Sequence, residues 1–343
     1  MTTLTRWFSR TIILVALSIS SLGAQGKSLS NSGSVAAPFL MVSLDPRGIA
    51  VGGAATAQLN GIAGAIWNPA TIATQTHSFF IAHARWFAEI RMDQAGISFY
   101  LPRWGTIGLY LASVDYGEMD VNTVIRPNGT GERFTANDFS LGIIFARAIT
   151  DRLLLGGTVK YVQQTIWHNS ARTVALDVGT LFHSPIWQLD FGVGISNVGG
   201  DLQMRGRDTR VLYDIDPEMT GNNGRVPALL ETESWPLPLL MRAGLQRSFQ
   251  LATGHQLTGA VDVFYPSDNF ESLNVGLEYA IKKMVFLRAG YRGLFLPENQ
   301  GGISAGFGVH YRSRRTVWAV QYAYSDFGLL RDIQVFSLTV QWF

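Results

Sequence analysis

The sequence predicts an all-β chain, a transmembrane antiparallel β-barrel of about fourteen strands with its N-terminal segment folded into the lumen. Three observations predict it. Large apolar side chains recur at every second position through most of the chain, the period of a strand whose successive side chains point to opposite faces. Only 15% of residues are charged and 36 are glycine, so the chain lacks the roughly 25% of charged groups that keep ordinary soluble domains in water. Outside the first 24 residues, no apolar run reaches the ~20 residues that a membrane-spanning helix needs. A charge-poor strand protein without helical spans fits a closed barrel in lipid.

Taken in order, the chain begins with a leader. Arg6 and Arg10 precede the apolar run 11–24, and small residues then give way to polar Gln25-Gly-Lys-Ser. A basic start, a short apolar stretch and small residues at its end read as a signal peptide over residues 1–24 and imply export. The strand region runs over residues 78–343, with a segment at 25–77 between it and the leader.

The strands are expected at 78–87, 92–101, 106–115, 138–148, 153–165, 172–183, 187–197, 238–248, 256–265, 271–281, 284–294, 302–312, 316–325 and 332–343. Clear alternation sets Phe139, Leu141, Ile143 and Phe145 against Ser140, Gly142, Ile144 and Ala146. It sets Val174, Leu176, Val178 and Phe182 against Thr173, Ala175, Asp177, Gly179 and Leu181, and Leu273, Val275, Leu277 and Tyr279 against Asn274, Gly276 and Glu278. Towards the end it places Trp318, Val320, Tyr322 and Tyr324 against Ala319, Gln321 and Ala323. A soluble sandwich would carry many charges on its second face. Here that face is mostly Gly, Ala, Ser, Thr and Asn, with a few isolated charges, which suits a crowded, partly polar lumen. Aromatic run ends at Tyr279, Tyr311, Tyr324 and Trp342 fit interfacial girdles. The connections alternate as well. Short ones at 102–105, 149–152, 184–186 and 282–283 read as periplasmic turns, and long ones at 116–137 and 198–237 as outward loops.

Residues 34–76 have no strand period and are small, glycine-rich and apolar, a composition that suits backbone packed closely inside a cavity. Asp45-Pro-Arg-Gly48, Gly52-Gly53-Ala54 and Trp67-Asn68-Pro69-Ala70 resemble the N-terminal hatch of the FadL-type long-chain fatty-acid transporters. The resemblance is strongest to their PorV/PorQ branch, associated with the type IX secretion system. It extends to Ala175-Leu-Asp-Val-Gly179, Ser196-Asn-Val-Gly199, Leu287-Arg-Ala-Gly-Tyr-Arg292 and Tyr322-Ala-Tyr-Ser-Asp-Phe-Gly328, and so over most of the chain. It implies a fourteen-stranded outer-membrane barrel plugged by its N-terminal segment, with Asp45, Arg47, Gly52, Gly53, Trp67, Asn68 and Pro69 marking the hatch.

Several chemistries are set aside. Without cysteine there is no disulfide, thiolate metal site or cysteine nucleophile, and a net charge of +2 gives no bulk attraction to nucleic acid. The six histidines lack metalloprotease spacing, and neither an enzyme nor a cofactor is expected. Oxygen ligands at 214–224 are spaced suggestively for calcium but miss the twelve-residue loop pattern, and an exposed polar loop is the expectation there. Inward-facing Arg242, Asp262, Glu278 and Arg288 on four successive strands, with Arg292 a step further, should pair as a lattice joining wall and plug. Lys160, Asp177 and Asp190 are a second, smaller set.

Two functions follow as expectations. Apolar Val211, Leu212, Leu229 and Leu230 in the longest loop are candidate partner-binding residues for exported cargo or a secretion apparatus, as the PorV/PorQ resemblance implies. The alternative is a FadL-like transporter of small hydrophobic molecules. A concave pocket with a wall opening near Asn68 and Pro69 would favour transport, and a continuous plug under a convex apolar patch would favour a protein partner.

Overall fold

The computed structural model describes residues 30–216, 218, 225–297, 299 and 301–343. The leader read at residues 1–24 lies outside them, as do residues 217 and 219–224 of the candidate calcium loop.

Fourteen strands form the wall: β1 His77–Arg85, β2 Arg91–Leu101, β3 Gly105–Asp120, β4 Arg133–Ala148, β5 Leu153–Ile166, β6 Asn169–Ser184 and β7 Leu189–Gly199. The second half comprises β8 Leu240–Ala252, β9 His255–Pro266, β10 Ser272–Ile281, β11 Val285–Leu294, β12 Ile303–Arg312, β13 Thr316–Asp326 and β14 Asp332–Trp342. Every neighbouring pair is antiparallel, and β1 pairs with β14 from His77↔Trp342 to Arg85↔Gln334, so the circuit closes. Closure leaves no unpaired strand edge in lipid, where a bare backbone group costs several kcal/mol.

Side-chain direction follows the sequence period. On β6, Val174, Leu176, Val178 and Phe182 stand outside, while Ala175, Asp177, Gly179 and Leu181 turn inward. The outside is thus a continuous apolar surface, and the barrel spans a membrane. Tyr279, Tyr311 and Trp342 lie toward the end of the barrel that carries the short turns, and Tyr324 toward the end that carries the loops.

The expected loop at 116–137 is smaller than its composition implies. β3 runs on to Asp120 and β4 starts at Arg133, past an irregularity between Asp115 and Glu118, because Arg133 bridges Glu118 and Asp120 across the ladder. Alternation alone misses this extension, since outside lipid both faces of a hairpin are polar. The loop after β7 carries its own hairpin, Arg210–Tyr213 paired with Val226–Leu229.

The core lies inside the barrel. Leu44, Ala50, Ile62, Ala70 and Ile72 are wholly buried, in a segment of short helical turns whose packing partners include Phe80, Ile144 and Val335 of the wall.

Candidate functional site: the hatch and the loop-end cavity

The hatch is built by local rules. Asp45 caps the short helix α1, Pro46–Ala50, by accepting from the backbone N–H groups of Arg47 (3.2 Å) and Gly48 (3.1 Å), with Pro46 at its first position. Gly52 and Gly53 follow at φ 71° and 84°, a left-handed exit that glycine makes without strain. Asn68 begins a second turn, Pro69–Ile72, by accepting from the Ala70 N–H at 3.0 Å.

The wall holds this segment through buried polar side chains. Glu278 receives Arg47 bidentately at 2.9 Å through both nitrogens, and Arg288 at 2.6 Å; Arg288 also donates to Gln321 at 2.9 Å. One wall carboxylate therefore joins a hatch cation to a wall cation. Asp262 does something else: its Oδ2 accepts the Ala55 and Thr56 N–H groups at 3.0 and 2.8 Å. Arg242 donates to the Ile66 carbonyl at 2.8 Å, and its guanidinium lies 5.1 Å from the Trp67 ring and 5.6 Å from Phe264. The expected lattice thus resolves into three separate fastenings. Arg242 and Asp262 form no ion pair with one another, because each is already committed to the hatch backbone. Gln94 adds a fourth fastening, accepting the Leu44 N–H at 2.7 Å and donating to the Val42 carbonyl at 2.8 Å. Sequence reading missed it, since a glutamine among inward polar positions carries no distinctive mark.

Asn68 donates to the carbonyls of Thr56 (3.0 Å) and Thr180 (2.8 Å), tying two hatch turns to β6. Beside it the wall is glycine. A Cβ on Gly156 would fall 2.5 Å from the Ala70 nitrogen and the Pro69 carbonyl carbon. Gly179 meets Asn68, Gly192 meets Thr56, Gly276 and Gly290 meet Val51, and Gly306 meets Ala50 in the same way. Inward glycines around the wall thus make the room into which the hatch backbone fits. Beside Asn68 and Pro69 the strands β4, β5 and β6 pair without a break through Ala146↔Gly156 and Gly156↔Gly179, and β6 pairs on to β7 through Gly179↔Gly194, just past a register shift between Leu176 and Val178.

The smaller polar set also divides. Lys160 pairs with Asp177 at 2.8 Å and donates to Asn197, and the Asn197 N–H bonds Asp177 at 2.7 Å across a register shift between β6 and β7. Asp190 stands apart, bonded to His183 and Gln246 near the turn end.

Above the hatch, at the loop end, lies a cavity of about 490 Å³. Its floor includes Ile49, Gly52, Gly53 and Trp67 of the hatch, and its walls carry Trp86, Phe264, Phe270 and Phe327. Arg292, expected in the lattice, lines this cavity instead: between the pairs Val275↔Tyr291 and Leu273↔Leu294 the register shifts, and β11 bulges at Arg292 and Gly293. The cavity was not legible in advance, because its lining comes from positions between Pro38 and Ile333 that meet only on closure. The loop residues Leu212, Leu229 and Leu230 are 65%, 71% and 57% exposed on the Arg210–Tyr213 hairpin, with Val211 partly covered. Among the described residues, no cluster of three His, Asp or Glu side chains has the arrangement of a metal site.

No family model matches the chain, and no curated protein matches its sequence. Its fold is similar to solved outer-membrane structures. The toluene transporter TodX of Pseudomonas putida superposes with a TM-score of 0.53 at 13% identity, covering 92% of this chain and 98% of that one. The toluene transporter TbuX of Ralstonia pickettii superposes with a TM-score of 0.53 at 11% identity, covering 89% and 98%. At such identities the likeness is one of fold: a fourteen-stranded barrel of the outer-membrane type, which places the chain in an outer membrane. The PorV/PorQ branch has no counterpart in these two structures.

Proposed function

We propose that this barrel is an outer-membrane transporter of small hydrophobic molecules, which it captures in the loop-end cavity and passes toward the hatch. The observation that carries the reading is the cavity itself, about 490 Å³, lined by aromatic rings and loop residues together with Trp67 and the glycines of the hatch. Its size lies within the roughly 300–1,000 Å³ of small-molecule sites, and its mainly apolar lining is theirs too. The two toluene transporters of the same fold support the reading by analogy. In this reading passage requires the hatch to shift, since the hatch backbone is packed against the glycines of β5 and β6, whose ladder is unbroken beside Asn68.

The test is uptake of N-phenyl-1-naphthylamine, a neutral aromatic probe, by Gram-negative host cells carrying the barrel. Cells with the wild-type chain should take it up faster than cells with Ser272→Trp, which fills the cavity from β10. Equal rates at equal amounts of folded barrel would remove the cavity from the route.

A second reading, capture of an exported protein at the cell surface in the manner of PorV/PorQ, draws on one observation. Leu212, Leu229 and Leu230 are well exposed on a hairpin at the loop end, where solvated loops are ordinarily polar.

A further inference from the structure

Arg292 is set apart from the other arginines that face the lumen. Arg47 and Arg288 share Glu278, and Arg242 donates to the Ile66 carbonyl. The Arg292 backbone is held, its N–H on the Gly302 carbonyl at 2.8 Å and its own carbonyl receiving Asn299 at 3.0 Å. Its guanidinium, however, lies on an aromatic face, 4.2 Å from the Phe327 ring centroid, and among the described residues no oxygen accepts from it and no acid pairs with it. Phe327 is itself packed edge-on to Trp86 at 5.4 Å, so the cation rests on a fixed platform at the edge of an aromatic cavity.

A guanidinium offers five N–H donors in a planar fork that matches a carboxylate two bonds at a time. Placed on a ring face, exposed, and given no acceptor by any described residue, it can receive an oxyanion that arrives with the ligand. Asp268, in the loop between β9 and β10, lines the same cavity, and its Oδ1 has no hydrogen-bond partner. That second charge sets a limit, since the second negative group of a doubly charged ligand would have to share the cavity with Asp268.

We propose that the loop-end cavity binds aromatic monocarboxylates, the carboxylate on Arg292 and the ring among Trp67, Phe264 and Phe327. The proposal rests on the reading of the cavity as the capture site and narrows what is captured there. A neutral hydrocarbon would leave the Arg292 fork bare, and a dicarboxylate would face Asp268.

The experiment measures binding of 2-naphthoate and of its neutral methyl ester to the barrel in lipid nanodiscs by calorimetry, with empty nanodiscs giving the background. Wild type should bind the acid more tightly than the ester. Arg292→Gln should lower the acid-to-ester affinity ratio about tenfold, the loss of a charged hydrogen-bonded pair, with Arg292→Lys intermediate. The ester reports whatever the substitution does to packing alone. Asp268→Asn should strengthen 2,6-naphthalenedicarboxylate relative to 2-naphthoate. Wild type that binds the ester as tightly as the acid, or an unchanged ratio in Arg292→Gln, overturns the proposal and leaves the capture reading standing. Binding of neither ligand overturns both. Should Arg292→Gln fail to fold, the wild-type acid-to-ester comparison decides.

Discussion

At the scale of single residues, the fastening of hatch to wall depends on a few buried polar atoms, and Glu278 is the one with most to lose. It satisfies Arg47 and Arg288 together, with only 5% of its side chain exposed. Removing its charge leaves two guanidiniums facing each other in a confined space, so the cost is that of breaking a buried pair rather than a surface bridge. Glu278→Gln should destabilise the folded barrel by about 3–5 kcal/mol. The measurement is the temperature at which the compact band of the unboiled protein converts to the unfolded band on an SDS gel. A conversion temperature equal to that of wild type would show that the three side chains do not act as one unit. Arg133 gives the contrast. It also bridges two acids, but at the solvated end of a hairpin with all three side chains more than half exposed, and its loss should pass nearly unnoticed.

At the scale of elements, the hatch is a set of short turns with little stability of its own. Helix α1 has five residues and the turn at Pro69–Ile72 has four, far below the length at which a helix holds by itself. What fixes them is the wall: the glycines that admit the backbone, and Asn68, whose amide ties Thr56 to Thr180. Trp67→Ala and Asn68→Ala should both loosen the hatch and raise leak conductance in planar bilayers, the first by opening space between Gly48 and the cavity, the second by releasing two carbonyls. Conductance unchanged in both would argue that these turns are not what closes the lumen.

At the scale of the whole molecule, one closed wall serves two faces with opposite needs. The outside must satisfy lipid and the inside must hold a folded segment, and the strand period lets a single sequence meet both. The loops beyond the membrane are free of that constraint, which is why the exposed leucines of the hairpin carry information. If that hairpin captures a protein, Leu229→Ser with Leu230→Ser should leave the heat-modifiable barrel intact and reduce the proteins co-purified in mild detergent from native membranes. An identical set of co-purified proteins in equal yield would remove the second reading.

The sequence by itself determined the number of strands, their faces and the presence of a packed segment ahead of them. Those features are local: alternation along Val174–Phe182, or glycine and proline punctuation between Asp45 and Ala70, is visible within a few residues. Only the tertiary structure decided how the inward charges divide. Arg242 and Asp262 sit on neighbouring strands and look like a pair, yet each fastens a hatch group from some two hundred residues earlier in the chain. Arg292 has the same inward parity as Arg288, but the irregularity near Leu273 leaves it in the cavity on Phe327. Parity along a strand says which face a side chain takes. Which partner it meets there depends on closing the barrel around a segment remote in sequence, and no local pattern records that.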